Sequence, residues 1–437
     1  MEDDAEDAMD TMSTQVVTFG RSPTGFPHVL EGTELTLLGN YIQRFSRSYP
    51  TCSDPDNPFL SVLLPLAMAD SLVMDALLVL SSAQKTQTRD PLEEREVLRL
   101  RQRALVGVRT LLSENAAAPG SKASHSTGAI TIHAIHHLAP RTVLTLLTTA
   151  VMFLLFDKIS GETTWKPHID FLGQLCEHFF HQFDPTAADG QAFQFLYYIF
   201  LYNDLVRATS LRTPTVSTIH DASPSAPLRR TSRFYFRNLI ARISSGDLSV
   251  SETDIEAWDG NMHWLPSYSL TATTPADDIV EPTERASFTQ LYKMAARIHL
   301  YERRSITLAS QGAANAIEPN ISVFPSNHSA DPPNLAPLAA QAISLLHAIP
   351  AGSPFDNALL WPIGIAARHL DASQPLERGA VLHRLQDLER RFGMRHFLRV
   401  REVLAEEWFV RDAGVGVGRR VWRGMGMVLG RRMILLG

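Results

Sequence analysis

The stretch Thr142-Val-Leu-Thr-Leu-Leu-Thr-Thr-Ala-Val-Met-Phe-Leu-Leu-Phe-Asp-Lys-Ile159 decides the fold class. Its apolar residues follow neither a two-residue alternation nor a single stripe; they cover every side of a helix. A helix of that kind must be enclosed by other helices, so it is expected at the centre of a core. The apolar part, Thr142 to Phe156, is the longest in the chain. It is too short and too rich in threonine to read as a membrane span.

The pattern continues on both sides. A turn is expected at Gly161, with Thr163 or Thr164 as the cap of a helix that places Trp165, Ile169, Leu172, Cys176 and Phe179 along one face. Gln191 to Ala208 repeats the theme with Phe193, Leu196, Tyr197 and Phe200. Toward the N-terminus, Asn57-Pro58 is a helix start, Asn as cap and Pro at the first position. Pro65 is expected to kink or divide the run Phe59 to Leu80, and Asp70 or Ser71 to cap its second half. Arg101, Ala104, Leu105, Val108, Leu111 and Leu112 form an amphipathic stripe. Beyond the centre, helical spacing appears at Phe288, Leu291, Ala295 and Ile298, then at Leu338, Ala342 and Leu345. It returns over Leu359 to Leu370, at Leu382, Leu385 and Leu388, and at Phe397, Val400, Leu404 and Trp408.

Nothing suggests a sheet, so the expected fold is all-α: one large multi-helix domain over residues 36–437 behind a flexible, acidic N-terminal arm at 1–35. Long loops are expected at about 113–140, 209–282 (with short helices) and 312–337, where Ser, Pro, Gly and Asp displace the apolar period.

Composition narrows the function. Lysine and arginine number 40 against 46 aspartate and glutamate, so no overall basic character draws the chain onto nucleic acid. Cys52 and Cys176 are its two cysteines, too few for a disulfide scaffold or an all-cysteine metal cluster, and their scarcity fits a reducing compartment. The acidic residues Glu2, Asp3, Asp4, Glu6 and Asp7 after Met1 are unlike a secretory leader, so an intracellular, soluble protein is expected, with no membrane partner.

No catalytic motif emerges, and no cofactor is expected. Gly414, Gly416 and Gly418 superficially resemble a nucleotide loop, but no strand precedes them and too little chain follows. His133, His136 and His137 form one histidine cluster; Cys176, His178 and His181 form another, within one expected helix. Neither carries a carboxylate-bearing zinc pattern, so packing or solvent exposure is preferred to metal binding. Arg411, Arg419, Arg420, Arg423, Arg431 and Arg432 read as the only dense cationic patch, able to touch phosphates or to serve nuclear import. The competing reading, which is preferred, is a solvated helix face with Trp422, Met425 and Leu429 inward. The same holds for Arg229, Arg230, Arg233 and Arg237, interleaved with Phe234, Tyr235 and Phe236. Trp165, Phe195, Tyr198, Trp361 and Phe397 would suit the walls of a small-molecule cavity, although core packing is the commoner use of such residues.

Four segments together resemble the fungal-specific transcription factor domain, the regulatory domain of fungal zinc-cluster transcription factors. They are Asn57-Pro-Phe-Leu-Ser-Val-Leu-Leu-Pro-Leu-Ala67 with the helix ending Ala-Leu-Leu-Val-Leu-Ser-Ser-Ala83; Leu144 to Ile159 turning at Ser160-Gly161 into Trp165-Lys-Pro-His-Ile169; Ala295-Ala-Arg-Ile-His-Leu-Tyr-Glu-Arg303; and a C-terminal set. That set is Ile349-Pro350, Leu359-Leu-Trp-Pro-Ile363, Leu388-Glu-Arg-Arg-Phe-Gly393 and Glu406-Glu-Trp-Phe-Val-Arg411.

The resemblance implies an all-helical fold, a nuclear regulatory role without catalysis, and dimerisation or effector sensing. Members of the usual kind also carry six cysteines around two zinc ions, which place a helix in the DNA major groove. No cysteine precedes Cys52 here. The leading expectation is therefore a fungal-type transcriptional regulator, controlling a biosynthetic gene cluster, that reaches DNA only indirectly or weakly, through a protein partner or as a homodimer, with a small-molecule effector. The alternative is a small-molecule-binding accessory protein of a biosynthetic pathway.

Overall fold

The computed structural model describes residues 30, 32–48, 57–84, 91–116, 138–162, 164–211, 213–216, 235–260, 282–315 and 334–413. Among them there is no strand. The α-helices run α1 (Thr33–Asn40), α2 (Ser46–Ser48), α3 (Leu64–Ala69), α4 (Ser71–Ser82) and α5 (Pro91–Ala116). They continue as α6 (Pro140–Ser160), α7 (Lys166–Phe179), α8 (Ala188–Leu211), α9 (Tyr235–Ser245) and α10 (Glu252–Glu256). The last five are α11 (Pro282–Asn315), α12 (Ala336–Ser344), α13 (Leu360–Ala367), α14 (Pro375–Phe392) and α15 (Arg395–Asp412).

Helix α6 is the hub. Every side chain from Val143 to Ile159 is buried, and α4, α7, α8 and α15 pack around it. The helix is longer than its apolar run because both ends are fixed locally. Pro140 occupies the first turn, where a missing N–H costs nothing. At the other end Gly161 takes a left-handed φ of 72°. Its N–H reaches the Lys158 carbonyl at 3.1 Å, and the Glu162 N–H reaches Asp157 at 2.8 Å. Among the described residues α6 alone has the length and hydropathy to cross a membrane, yet 94% of that window is buried inside the protein. Burial, not shortness, separates it from a membrane span.

A second group packs around α11, which meets α9, α12 and α13. Phe288, Leu291, Ala295 and Ile298 form its buried stripe, as their spacing predicts. The face predicted for α7 is buried from Trp165 to Phe179, and Phe397, Val400, Leu404 and Trp408 bury one side of α15.

Several local expectations need correction. The chain does not break at Pro65, which sits in the first turn of α3 behind a π turn at Phe59–Leu63. The wide turn before it gives the proline ring room, so the helix runs on without a break to Ala69. The break comes at Asp70, which is extended and caps α4 by accepting from the Leu72 N–H at 2.9 Å. Thr164 caps nothing; its hydroxyl donates to Asp157 at 2.7 Å, and Trp165 takes the cap position without a side-chain bond. Leu105 is exposed, because the buried stripe of α5 runs through Val97, Leu100, Ala104 and Leu112 instead.

Two helices run past the expected loop starts, α5 to Ala116 and α11 to Asn315, while α9 and α10 are the short helices expected between Thr209 and Pro282. Most of the remaining loop residues lie outside the described residues, as do most of the 1–35 arm and Cys52.

Candidate functional site

The apolar run of α6 ends in two adjacent charges, Asp157 and Lys158, and both are buried. A buried charge needs partners or it shifts its proton equilibrium. Asp157 has three partners from flanking elements. Arg101 of α5 donates at 3.0 Å, Thr164 at 2.7 Å, and His168 Nε2 of α7 lies 3.4 Å away. The His168 ring stacks on Phe153 with centroids 5.8 Å apart. Asp157 thereby ties α5, α7 and the turn before α7 to the hub.

Lys158 is treated differently. Its Nζ donates to Asn203 Oδ1 of α8 at 3.2 Å and stands 5.1 Å from the Tyr202 ring centroid. Among the described residues it forms no ion pair with a carboxylate. Burial therefore pushes its ammonium down to about 7. His396 of α15 shares this interior; burial, and after it the Lys158 charge, holds its imidazole well below the ordinary value. Its Nδ1 has no hydrogen-bond partner. Burial likewise raises the Tyr202 phenol. Asn203 is fixed by donating its Nδ2 to the Ile199 carbonyl at 2.7 Å.

With 4% of Lys158 exposed, a solvent-borne substrate does not meet this amine. Chemically, the seam holds or releases a proton at Lys158 Nζ near neutrality, at the junction of α6, α8 and α15. The charged pair closing an all-apolar helix was the available sequence signal for it. Asn203 and His396 carried none, being remote in the chain.

A second set of polar ties organises the region around α11. Tyr292 donates to the Ala358 carbonyl at 2.7 Å, and Trp361 Nε1 donates to Thr209 at 3.1 Å. Asp356 accepts from Arg384 at 2.6 Å, from the Gly352 N–H at 3.1 Å and from Arg391. Burial raises the Asp356 carboxyl, with both arginines opposing. Ser353 donates to the buried Glu284, tying the turn after Ile349-Pro350 to the start of α11.

The residues singled out for chemistry disperse. Cys176 is buried, and burial pushes its thiol up, away from the thiolate that a metal requires. His178 lies in α7, whereas His181 belongs to the following 3₁₀ turn, Phe180–Gln182, and each ring packs edge-on against a neighbouring phenylalanine, Phe179 and Phe180. Among the described residues no three metal-ligating side chains gather. His133, His136, His137, Gly414, Gly416 and Gly418 lie outside those residues, as do Arg229, Arg230, Arg233 and Phe234. Arg237 is a correction: it is buried, as are Tyr235 and Phe236, and Asp204 offsets part of its desolvation. It is not a phosphate contact.

Arg411 stands exposed on the last turn of α15, as the solvated-face reading expects, and donates to the Leu370 and Arg368 carbonyls just past α13. Arg419, Arg420, Arg423, Arg431 and Arg432, with Trp422, Met425 and Leu429, lie outside the described residues. Nor is the C-terminal group the only cluster of arginines, since Arg390, Arg395 and Arg401 line one cleft where α14 meets α15. The five aromatic residues suited to cavity walls spread through the core instead. Phe195 meets Phe59, Trp361 meets Tyr292 and Phe236, and Phe397 stacks on Phe392.

Fold and site together define a helical scaffold in which buried ionisable groups tie helices to one hub. The model of the fungal-specific transcription factor domain matches residues 36–265 and 252–435, so the chain belongs to that family, one of transcriptional regulators rather than enzymes. No curated protein and no solved structure matches the chain.

Proposed function

We propose that this chain is the regulatory domain of a fungal-type transcriptional regulator that acts in the nucleus and takes its DNA contact from a partner. The observation that carries the reading is the family match, which runs across the helical core from residue 36 to 435. The cysteine inventory supports the borrowed DNA contact. A two-zinc cluster needs six thiolates, this chain has two cysteines, and one of them, Cys176, is buried as a thiol. The partner is a second protein or a second copy of this chain. We extend the proposal to control of a biosynthetic gene cluster and to sensing of a small-molecule effector, extensions that rest on family membership alone.

Titration of labelled duplex DNA with the purified chain at near-physiological salt tests the borrowed contact. Weak, sequence-independent binding is expected; tight, sequence-specific binding overturns it. Deletion of the gene tests the regulatory role. Altered transcripts are expected, whereas loss of a metabolite with unchanged transcripts overturns the regulator and favours an accessory protein of the pathway.

A further inference from the structure

The hairpin of α14 and α15 encloses a cleft of about 420 Å³. One wall is a face of α14, Gln386, Glu389, Arg390 and Gly393; the other is a face of α15, Arg395, Leu398 and Arg401. Its charge is lopsided. Three guanidiniums face one carboxylate, in a protein whose formal net charge is −6. Arg401 reaches Glu389 at 3.3 Å and Arg390 reaches Asp387 at 3.0 Å, while Arg395 makes no ion pair among the described residues. A concave surface with excess guanidinium is built for carboxylates, because each planar fork offers parallel N–H donors to two oxygens.

The chain supplies such a ligand. Glu2, Asp3, Asp4, Glu6, Asp7 and Asp10 place six carboxylates in nine residues. We propose that the α14–α15 cleft receives the acidic segment Glu2–Asp10 of the same chain, with its carboxylates on Arg390, Arg395 and Arg401.

The path is short enough. From Thr33 to Ser48 the helical segment is at most about 24 Å long, at 1.5 Å per residue. At its far end Gln84 Nε2 donates both to Ser48 Oγ at 2.8 Å and to the Phe392 carbonyl at 3.2 Å. Phe392 adjoins Gly393 in the cleft wall. The twenty residue-to-residue steps from Asp10 to Leu30 can reach at most roughly 66 Å, well beyond the distance to be covered. The contact is electrostatic and partly exposed, so salt weakens it.

A photo-crosslinking amino acid in place of Gln386, in the full-length chain, tests this. Irradiation followed by trypsin is expected to join the cleft to the peptide ending at Arg21. The yield is expected to fall about tenfold in the double variant Arg390→Glu, Arg395→Glu, and equally when Asp3, Asp4 and Asp7 become Asn and Glu6 becomes Gln. The second variant lies in the acidic segment itself, so its result does not depend on the folding of the first. Half-molar salt is expected to act like the substitutions. Absence of an adduct to the segment overturns the proposal. So does an adduct that survives both variants, or one whose yield rises with protein concentration, which marks a second copy as the occupant.

Discussion

Replacing Lys158 with Met probes the buried seam directly. In the unfolded chain the lysine titrates near 10.5, and in the folded protein near 7. Between those values the unfolded state holds the proton and the folded state does not, so stability rises with pH across that window and levels off below about 7. From near pH 7 to near pH 9 the lysine adds about 2 kcal/mol to the stability of the wild-type protein, by integration of the linkage relation. The variant lacks this increment. Other groups that titrate in the range, Cys176 among them, are common to both proteins and cancel in the difference. His396, with its lowered value, contributes its window below pH 7.

Near pH 7 the methionine variant is expected to be at least as stable as wild type. It removes the desolvation of a buried ammonium, at a cost of about 1 kcal/mol for the bond lost by Asn203. Urea unfolding followed by circular dichroism, at both pH values and for both proteins, measures the increment. Parallel changes, within about 0.5 kcal/mol, would refute the assignment of a neutral-range proton to Lys158.

Three further outcomes follow from the buried ties. Asp70→Ala removes the α4 cap and the carboxylate that accepts from Thr145 at 2.8 Å; a loss of about 1–2 kcal/mol is expected by denaturant titration, and an unchanged midpoint would show that the cap is dispensable. Asp356→Ala leaves the buried Arg384 without its carboxylate, keeping only the Pro350 carbonyl, and is expected to cost about 3 kcal/mol, whereas Arg391→Ala, at the exposed partner of the same carboxylate, costs under about 1 kcal/mol. Equal losses in those two variants would contradict the burial difference. Tyr292→Phe leaves the Ala358 carbonyl without its 2.7 Å partner, for an expected loss of about 1 kcal/mol in thermal or chemical melts; a neutral result would mean that the carbonyl finds another donor.

Much of the helical layout was legible because helix formation is local. The Asn57 cap illustrates this: its Oδ1 accepts from the Phe59 N–H at 3.0 Å, two residues away. Gly161 is similar, because one left-handed residue closes α6 on its own last turn. Failures came where two local signals competed. Pro65 reads as a break until the π turn before it makes room. Thr164 reads as a cap until Asp157 claims its hydroxyl. His178 and His181 read as parts of one helix until α7 ends at Phe179 and a 3₁₀ turn follows.

The candidate site was much less legible. The cationic cleft has its arginines at 390, 395 and 401, a spacing that forms no run in the sequence, and it exists only because two helices fold back on each other. The ties of Glu34 to Arg99 and Arg103, and of Asp75 to Arg103, likewise join three helices with no shared local pattern.

By itself the sequence determined that this protein is helical and that the run from Thr142 to Ile159 forms its centre. Backbone sterics and apolar periodicity act within a dozen residues, so a linear pattern is enough to specify them. Which charges that centre tolerates was decided only by tertiary structure. Asp157 and Lys158 are neighbours in the chain, yet one gains an arginine and the other an amide and an aromatic ring. Proton equilibria respond to every group packed around them, and those groups converge from α5, α7, α8 and α15.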